Sequence, residues 1–337
     1  MRTLLLLLQV ATPPPQRPAQ LTQFLEHSIG FTAEQLATVE RGEPVVTVLE
    51  TRDRRDVALF GIITTPAPRE QYVRALRDFP TSLRTPNRTQ LGIFSDPATE
   101  SDVAAVTINT RDVGDMKSCK PSDCVAKLPA TDMRRIHEQM NWSAPSAELQ
   151  AQLSAYARRR LVEYVTDYRT RGDSAMALYD DRGNLTVRSS EAFAAQLAES
   201  PYVYQTVPSL QTYFASYPRG ALPAGAAEII FWSEDVLPRL RPILSVTHLV
   251  VYTPPELPGM TLAAAKQIYA DHYFETAVDL TAVVDRNPGT YLVVLRRYRF
   301  DNLPGGILNI RGRAIGALRD QLALDLRRQQ QTGIPGR

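Results

Sequence analysis

Ser245-Val246-Thr247-His248-Leu249-Val250-Val251-Tyr252-Thr253 is the stretch on which the fold turns. Its β-branched and aromatic residues favour a pleated, half-buried backbone. With a side-chain period of two, Val246, His248, Val250 and Tyr252 share one face, and Thr247, Leu249 and Val251 share the other. Similar runs flank it: Ala227 to Ser233 before, then Ala264 to Asp271 running on to Val284, and Tyr291 to Phe300. Pro254-Pro255 and Asn287-Pro288-Gly289 interrupt them with turn formers, so an antiparallel meander is expected. The chain then passes through Leu303-Pro304-Gly305-Gly306 into a segment from Ile307 to about Gln330. There Ile307, Arg311, Ala314, Leu318 and Leu322 recur at threes and fours, with Leu308, Ile315 and Leu326 alongside, which predicts a long amphipathic helix. Such a helix cannot bury its apolar face alone, and the sheet is the obvious acceptor.

Upstream, Ala19 to Glu40 reads as two short helical pieces, the second opened by Thr32 and Gln35 at capping-box spacing. Val45 to Thr51 and Asp56 to Thr64 form an expected hairpin around the charged turn Arg52 to Arg55. A helix follows over Pro66 to Phe79 with Tyr72, Val73, Leu76 and Phe79 on one face. Leu91 to Phe94, Ala104 to Ile108 and Val125 to Leu128 read as strands, and Thr131 to Met140 as a helix capped at Thr131 or Asp132. From Ser146 to Arg171 an aromatic stripe at intervals of three to five marks one long helix, best explained by packing. A small hairpin around Asp180 to Asn184 and two short helices, Ser190 to Glu199 and Ser209 to Tyr217, complete a mostly helical region from 143 to 225.

The 337 residues are 44% apolar and 22% charged, enough for a large core. The net charge of +2 argues against a nucleic-acid-coating protein. Met1-Arg2 followed by Leu4 to Leu8, Val10 and Ala11 has the charged start and short apolar run of a secretory signal. The proline-rich stretch Thr12 to Gln20 reads as a stiff tether, and the expected location is periplasmic or extracellular. Cys119 and Cys124 flank Lys120-Pro121-Ser122-Asp123, which suits a local disulfide in an exported chain, with free thiols as the alternative; no further ligands stand near enough in sequence for a metal. No cofactor is expected. Gly-x-Ser-x-Gly, phosphate-loop and His-Glu-x-x-His patterns are absent from the sequence.

The strand that leads through Thr64-Thr65-Pro66-Ala67-Pro68 into a helix ending Leu76-Arg77-Asp78-Phe79 resembles the opening of START and Bet v 1-like proteins. The ending, a strand then Asn302-Leu303-Pro304-Gly305-Gly306 into a long helix, is similar to their closing element. The resemblance implies an α+β helix-grip fold: a curved antiparallel sheet wrapped around the C-terminal helix with a hydrophobic cavity between them. It implies a lipid or other hydrophobic small molecule as ligand, and in a minority of members an enzyme. On this division, residues 1–20 are signal and tether, 21–142 and 226–331 are the two halves of the helix-grip domain, and 143–225 is a mostly helical insertion.

With that cavity, Val246, His248, Val250, Tyr252, His272 and Leu318 are the expected ligand-binding residues; the competing view is a sheet packed solid. His248 and His272 are the candidates for proton transfer, because imidazole exchanges protons near neutral pH. Asp271 and His272, as neighbours in a regular strand, should point to opposite faces and so not pair. His27 and His137 read as solvated or capping groups. In Arg296-Arg297-Tyr298-Arg299 the arginines read as solvated. Residues 286–337 hold ten Arg and three Asp, +7 locally, which suits peripheral contact with an anionic membrane. The helical region could instead dock a protein partner.

Overall fold

A computed structural model describes residues 17–183, 186–200, 207–237, 240–301 and 310–333. The expected signal run, most of the tether and the Asn302 to Gly306 turn lie outside the described residues.

The antiparallel meander forms, with five strands where four runs were read: β6 (Ala227–Asp235), β7 (Ile243–Tyr252), β8 (Met260–Ala270), β9 (Phe274–Asp285) and β10 (Thr290–Phe300). The early hairpin supplies β1 (Val45–Leu49) and β2 (Asp56–Thr65), and Arg88–Ile93 supplies β3. These eight strands make one open antiparallel sheet in the order β1-β2-β10-β9-β8-β7-β6-β3. β2 and β7 are buried at every position, because both faces of the sheet are covered.

One face carries Val57, Leu59, Ile63, Leu249, Val251, Val283, Leu292 and Val294, packed with Tyr72 and Leu76 of α3 (Arg69–Arg77) and with Leu322 and Leu326 of the C-terminal helix (Ile310–Thr332). That helix lies so close to β2 that a Cβ at Gly61 would come within 2.9 Å of Leu326. The opposite face carries Phe60, Ile62, Val250, Tyr252, Leu262, Ala264, Ala282 and Val293. It is covered by α1 (Ala19–Gln23) and the π-helical turn Phe24–Ile29 that continues it, by α2 (Ala33–Glu40), and by the helices of the 143–225 region. The latter are Ser146–Arg171, Ser189–Ala198 and Pro208–Ser216, and a two-stranded hairpin, β4 (Leu178–Tyr179) with β5 (Val187–Arg188), joins the first two. Much of this region's apolar surface therefore packs on the sheet, while Leu149, Leu153 and Tyr156 pack with Met116, Met133 and the disulfide. The Thr32 and Gln35 capping box is present in full.

Three sequence expectations are corrected. Ala104 to Ile108 and Val125 to Leu128 are not strands; Val103 and Val106 instead fill a core against the Ser146–Arg171 helix. The helix Ala130–Gln139 starts after Pro129, not at a Thr131 or Asp132 cap; Asp132 is buried and accepts a hydrogen bond from Tyr156 at 2.9 Å. Ala264 to Val284 is not one run but β8 and β9, turned at Asp271-His272-Tyr273. No glycine or proline marks that turn, which is why it reads as strand; Tyr273 adopts φ +62° there. Cys119 and Cys124 form the expected disulfide, and closing so short a loop should contribute about 2 kcal/mol. Among the described residues, no helix is long and apolar enough to cross a membrane.

Candidate functional site

A cavity of about 790 Å³ lies on the face away from the C-terminal helix. Its floor is β8, β9 and β10, with Leu262, Ala264, Leu280, Ala282, Val293 and Leu295 pointing up from the sheet. Its roof is Leu21 and Phe24 from the N-terminus, Phe193 and Leu197, and Leu210 and Phe214 from the two short helices of the middle region. The cause of the gap is legible in the register. Leu262 stands opposite Ala282, and Ala264 opposite Leu280. Each large side chain faces a small one, and the alanines cannot fill the distance to the helices above. From Met260 to Lys266 the cavity follows β8 for roughly 20 Å at ~3.3 Å per residue.

Its two ends differ. Exposed Gln20, Gln211, Glu256, Pro258 and Asp285 border one end, which is the mouth. Buried Phe193, Gln196, Lys266 and Arg297 close the other. The Lys266 ammonium lies 4.1 Å from the centre of the Phe193 ring and pairs with Asp173. Burial pulls its pKa below the ordinary lysine value, against the pull of Asp173.

The structure scatters the expected ligand set. Val246, His248, Val250 and Tyr252 do share the cavity side of β7, but they are packed under helices and do not line the cavity. Leu318 belongs to the other face, with Val57 and Leu59. Among the described residues the cavity lies across the sheet from the C-terminal helix, whose Leu322 and Leu326 pack directly on β2. The residues that the sequence reading missed are those of the roof. Their helices were legible, but nothing local says which face of a sheet a distant helix will cover.

His248 is fully buried. Its Nε2 donates to Glu228 at 3.0 Å and its Nδ1 accepts from the Tyr168 hydroxyl at 3.0 Å. That arrangement accommodates a neutral ring, and burial holds its pKa below the ordinary value despite Glu228. Tyr217, Phe214, Tyr168 and Tyr213 surround it with ring centres 4.7 to 6.2 Å away. This constellation ties the helices to β6 and β7.

His272 occupies the β8–β9 turn, so strand alternation does not govern it. Its ring, the Asp271 carboxylate and Asp112 come together, with ligand atoms within 4.8 Å of one another. His272 Nε2 faces Asp112 at 3.2 Å, and Nδ1 faces the Val125 carbonyl at 3.2 Å. Two acceptors require two ring protons, hence an imidazolium. Burial lowers its pKa, but Asp271 and Asp112 outweigh that and hold it above the ordinary value. Burial likewise pushes Asp271 up to about 7, against the pull of His272. A cation is poorly suited to this triad, because Arg241 already donates to Asp112 at 2.6 Å. The cluster instead clamps the turn: Asp271 accepts from the Leu244 amide at 2.9 Å, and the Tyr273 hydroxyl accepts from the Arg241 amide at 3.0 Å.

A pH dependence follows. Both His272 and Asp271 have folded pKa values raised above the unfolded ones, so their contributions are complete below the unfolded values and are lost as pH rises. The urea midpoint should therefore fall as pH rises from about 4 to about 7 through Asp271, and further above about 6.5 through His272. In His272→Gln that slope should flatten; an unchanged slope would remove the imidazolium from the account.

His27 and His137 are exposed, as expected, and His137 hydrogen-bonds the Cys119 carbonyl. Arg297 and Arg299 are buried, at 3% and 9% exposure, not solvated. Arg299 meets Asp53, Asp56 and Glu275; Arg296 meets Asp279 and Asp325; Arg286 meets Glu40. Much of the local basic excess is thereby neutralised by acids elsewhere in the chain. Comparison with protein-family models, curated proteins and solved structures finds no match to this chain.

Proposed function

We propose that this protein binds a lipid or another long hydrophobic molecule in the cavity between β8, β9 and β10 and the helical layer above them. The observation that carries the reading is the cavity itself: about 790 Å³, lined mainly by apolar side chains, open at one end. That volume lies in the range of small-molecule sites, roughly 300 to 1,000 Å³. The reading keeps the ligand class implied by the START and Bet v 1-like resemblance and moves its seat to the other face of the sheet. A strand leading into α3 and a long terminal helix support keeping that resemblance within the proposal. A strict helix-grip cargo site under the terminal helix draws no support from the cavity lining.

Export is part of the same proposal, supported by the disulfide, which persists best in an oxidising compartment. The enzyme alternative is weaker in its present form, because His248 and His272 do not border the cavity. The scaffold alternative is weaker because much of the middle helices' apolar surface packs within the chain. A contact with anionic membrane would have to rest on the exposed arginines of the terminal helix, since Glu256 and Asp285 stand at the cavity mouth. Organic extraction of the purified protein followed by mass spectrometry should release a long-chain compound at near-stoichiometric amount, or the emptied protein should take up a fluorescent apolar dye. Failure of both removes the carrier reading.

A further inference from the structure

The closed end of the cavity is not apolar. Lys266 and Arg297 flank Val278 in register across three neighbouring strands, Lys266 opposite Val278 on β8–β9 and Arg297 opposite Val278 on β9–β10. The helix Ser189–Ala198 crosses all three strands above this row. Along it, Phe193 sits against Lys266, and Glu199, just past its end, meets Arg297 at 3.4 Å through its carboxylate and 2.9 Å through its carbonyl. Gln196 falls between those two contacts, which puts it over the row. It is fully buried, and neither its Nε2 nor its Oε1 has a hydrogen-bond partner among the described residues. The Arg297 Nε is also buried and without a partner among them.

Three unused polar atoms at the blind end of an apolar cavity are costly unless something satisfies them. They comprise donors, Arg297 Nε and Gln196 Nε2, and one acceptor, Gln196 Oε1. A carboxylate could take the donors but would leave the acceptor unused. It would also upset the charge balance, because Lys266 already pairs with Asp173 and Arg297 with Glu199. An added anion would leave a net negative charge in a buried place. A hydroxyl satisfies both kinds of atom, donating to Gln196 Oε1 and accepting from Arg297 Nε or Gln196 Nε2, and adds no charge.

We infer that this end is a head-group subsite that selects a long-chain molecule ending in an uncharged hydroxyl. The inference rests on the carrier reading above and narrows it. Its test is displacement of an apolar fluorescent dye from the intact protein by dodecanol, dodecanoate and dodecane. Dodecanol should bind about tenfold tighter than either of the others, the size of one well-made buried hydrogen bond. In Gln196→Met, of matching length without polar atoms, dodecane should bind as well as before or better, which reports an intact cavity. The preference for the alcohol should disappear in that variant. If dodecanol and dodecane compete equally, if dodecanoate binds tightest, or if Gln196→Met keeps the preference, the subsite is overturned while the carrier reading stands. If none of the three displaces the dye, the carrier reading falls with it.

Discussion

Replacing Ala264 with phenylalanine should lower affinity for an apolar ligand more than tenfold while leaving the protein folded. Ala264 lies in the middle of the cavity floor, opposite Leu280 on the next strand, with open space above it. A phenyl ring there extends from the floor toward the roof and takes up cavity volume. If it displaces ~100 Å² of ligand surface, at ~25 cal/mol per Å² the loss is about 2.5 kcal/mol. The matching control is Leu318→Ala. Leu318 packs on the far face of the sheet, so that change should leave affinity within about twofold and cost only stability. Dye titration of the two variants decides the placement: weak binding in Leu318→Ala with normal binding in Ala264→Phe would return the ligand to the terminal helix.

Removal of Arg299 should produce the largest loss of stability. Its guanidinium donates to Glu275 at 2.9 Å, Asp56 at 3.0 Å and Asp53 at 2.7 Å, and Asp56 and Glu275 are almost wholly buried. Burial already pushes the Asp56 carboxyl above its usual range, although Arg299 pulls it down. Arg55 still serves Glu275 and Asp53 when Arg299 is gone, but no other cation donates to the Asp56 carboxylate among the described residues. Arg299→Met should cost about 3–5 kcal/mol, the usual result of stranding a buried charge. That is a large part of the 5–15 kcal/mol by which typical proteins are stable. The pH dependence has a defined sign. With its cation gone, the folded pKa of Asp56 rises further above the unfolded value, so the deficit grows as pH rises through the acid range. Lowering the pH from about 7 to about 5 should recover part of it. Equilibrium urea unfolding at the two pH values measures this, and a deficit that deepens on acidification would contradict it.

Arg299 also shows where sequence reading stopped. In Arg296-Arg297-Tyr298-Arg299 alternation correctly separates Arg297 and Arg299 from Arg296 and Tyr298. Charge alone then suggests water as the partner. The acids that remove Arg299 from water stand at 53, 56 and 275, joined to it by strand register and by the β1–β2 turn. The Asp271-His272 pair fails for a related reason. Its turn has no local signature, being held by Asp112, Leu244 and Arg241 from other parts of the chain. Where a turn carried its own chemistry, as at Asn287-Pro288-Gly289, strand ends were legible.

The sequence by itself determined the elements with strong local periodicity: the antiparallel meander apart from its β8–β9 turn, the early hairpin, the capped second helix, the 26-residue middle helix and the terminal amphipathic helix. It also determined which strand residues share a face, since alternation is a property of the backbone. Only the tertiary structure decided which helices cover which face, and hence that the cavity opens opposite the terminal helix. Both faces of the sheet are apolar, so hydrophobicity cannot choose between them. The choice comes from shape: Gly61 lets Leu322 and Leu326 seat closely on β2, while Ala264 and Ala282 leave the other side unfilled.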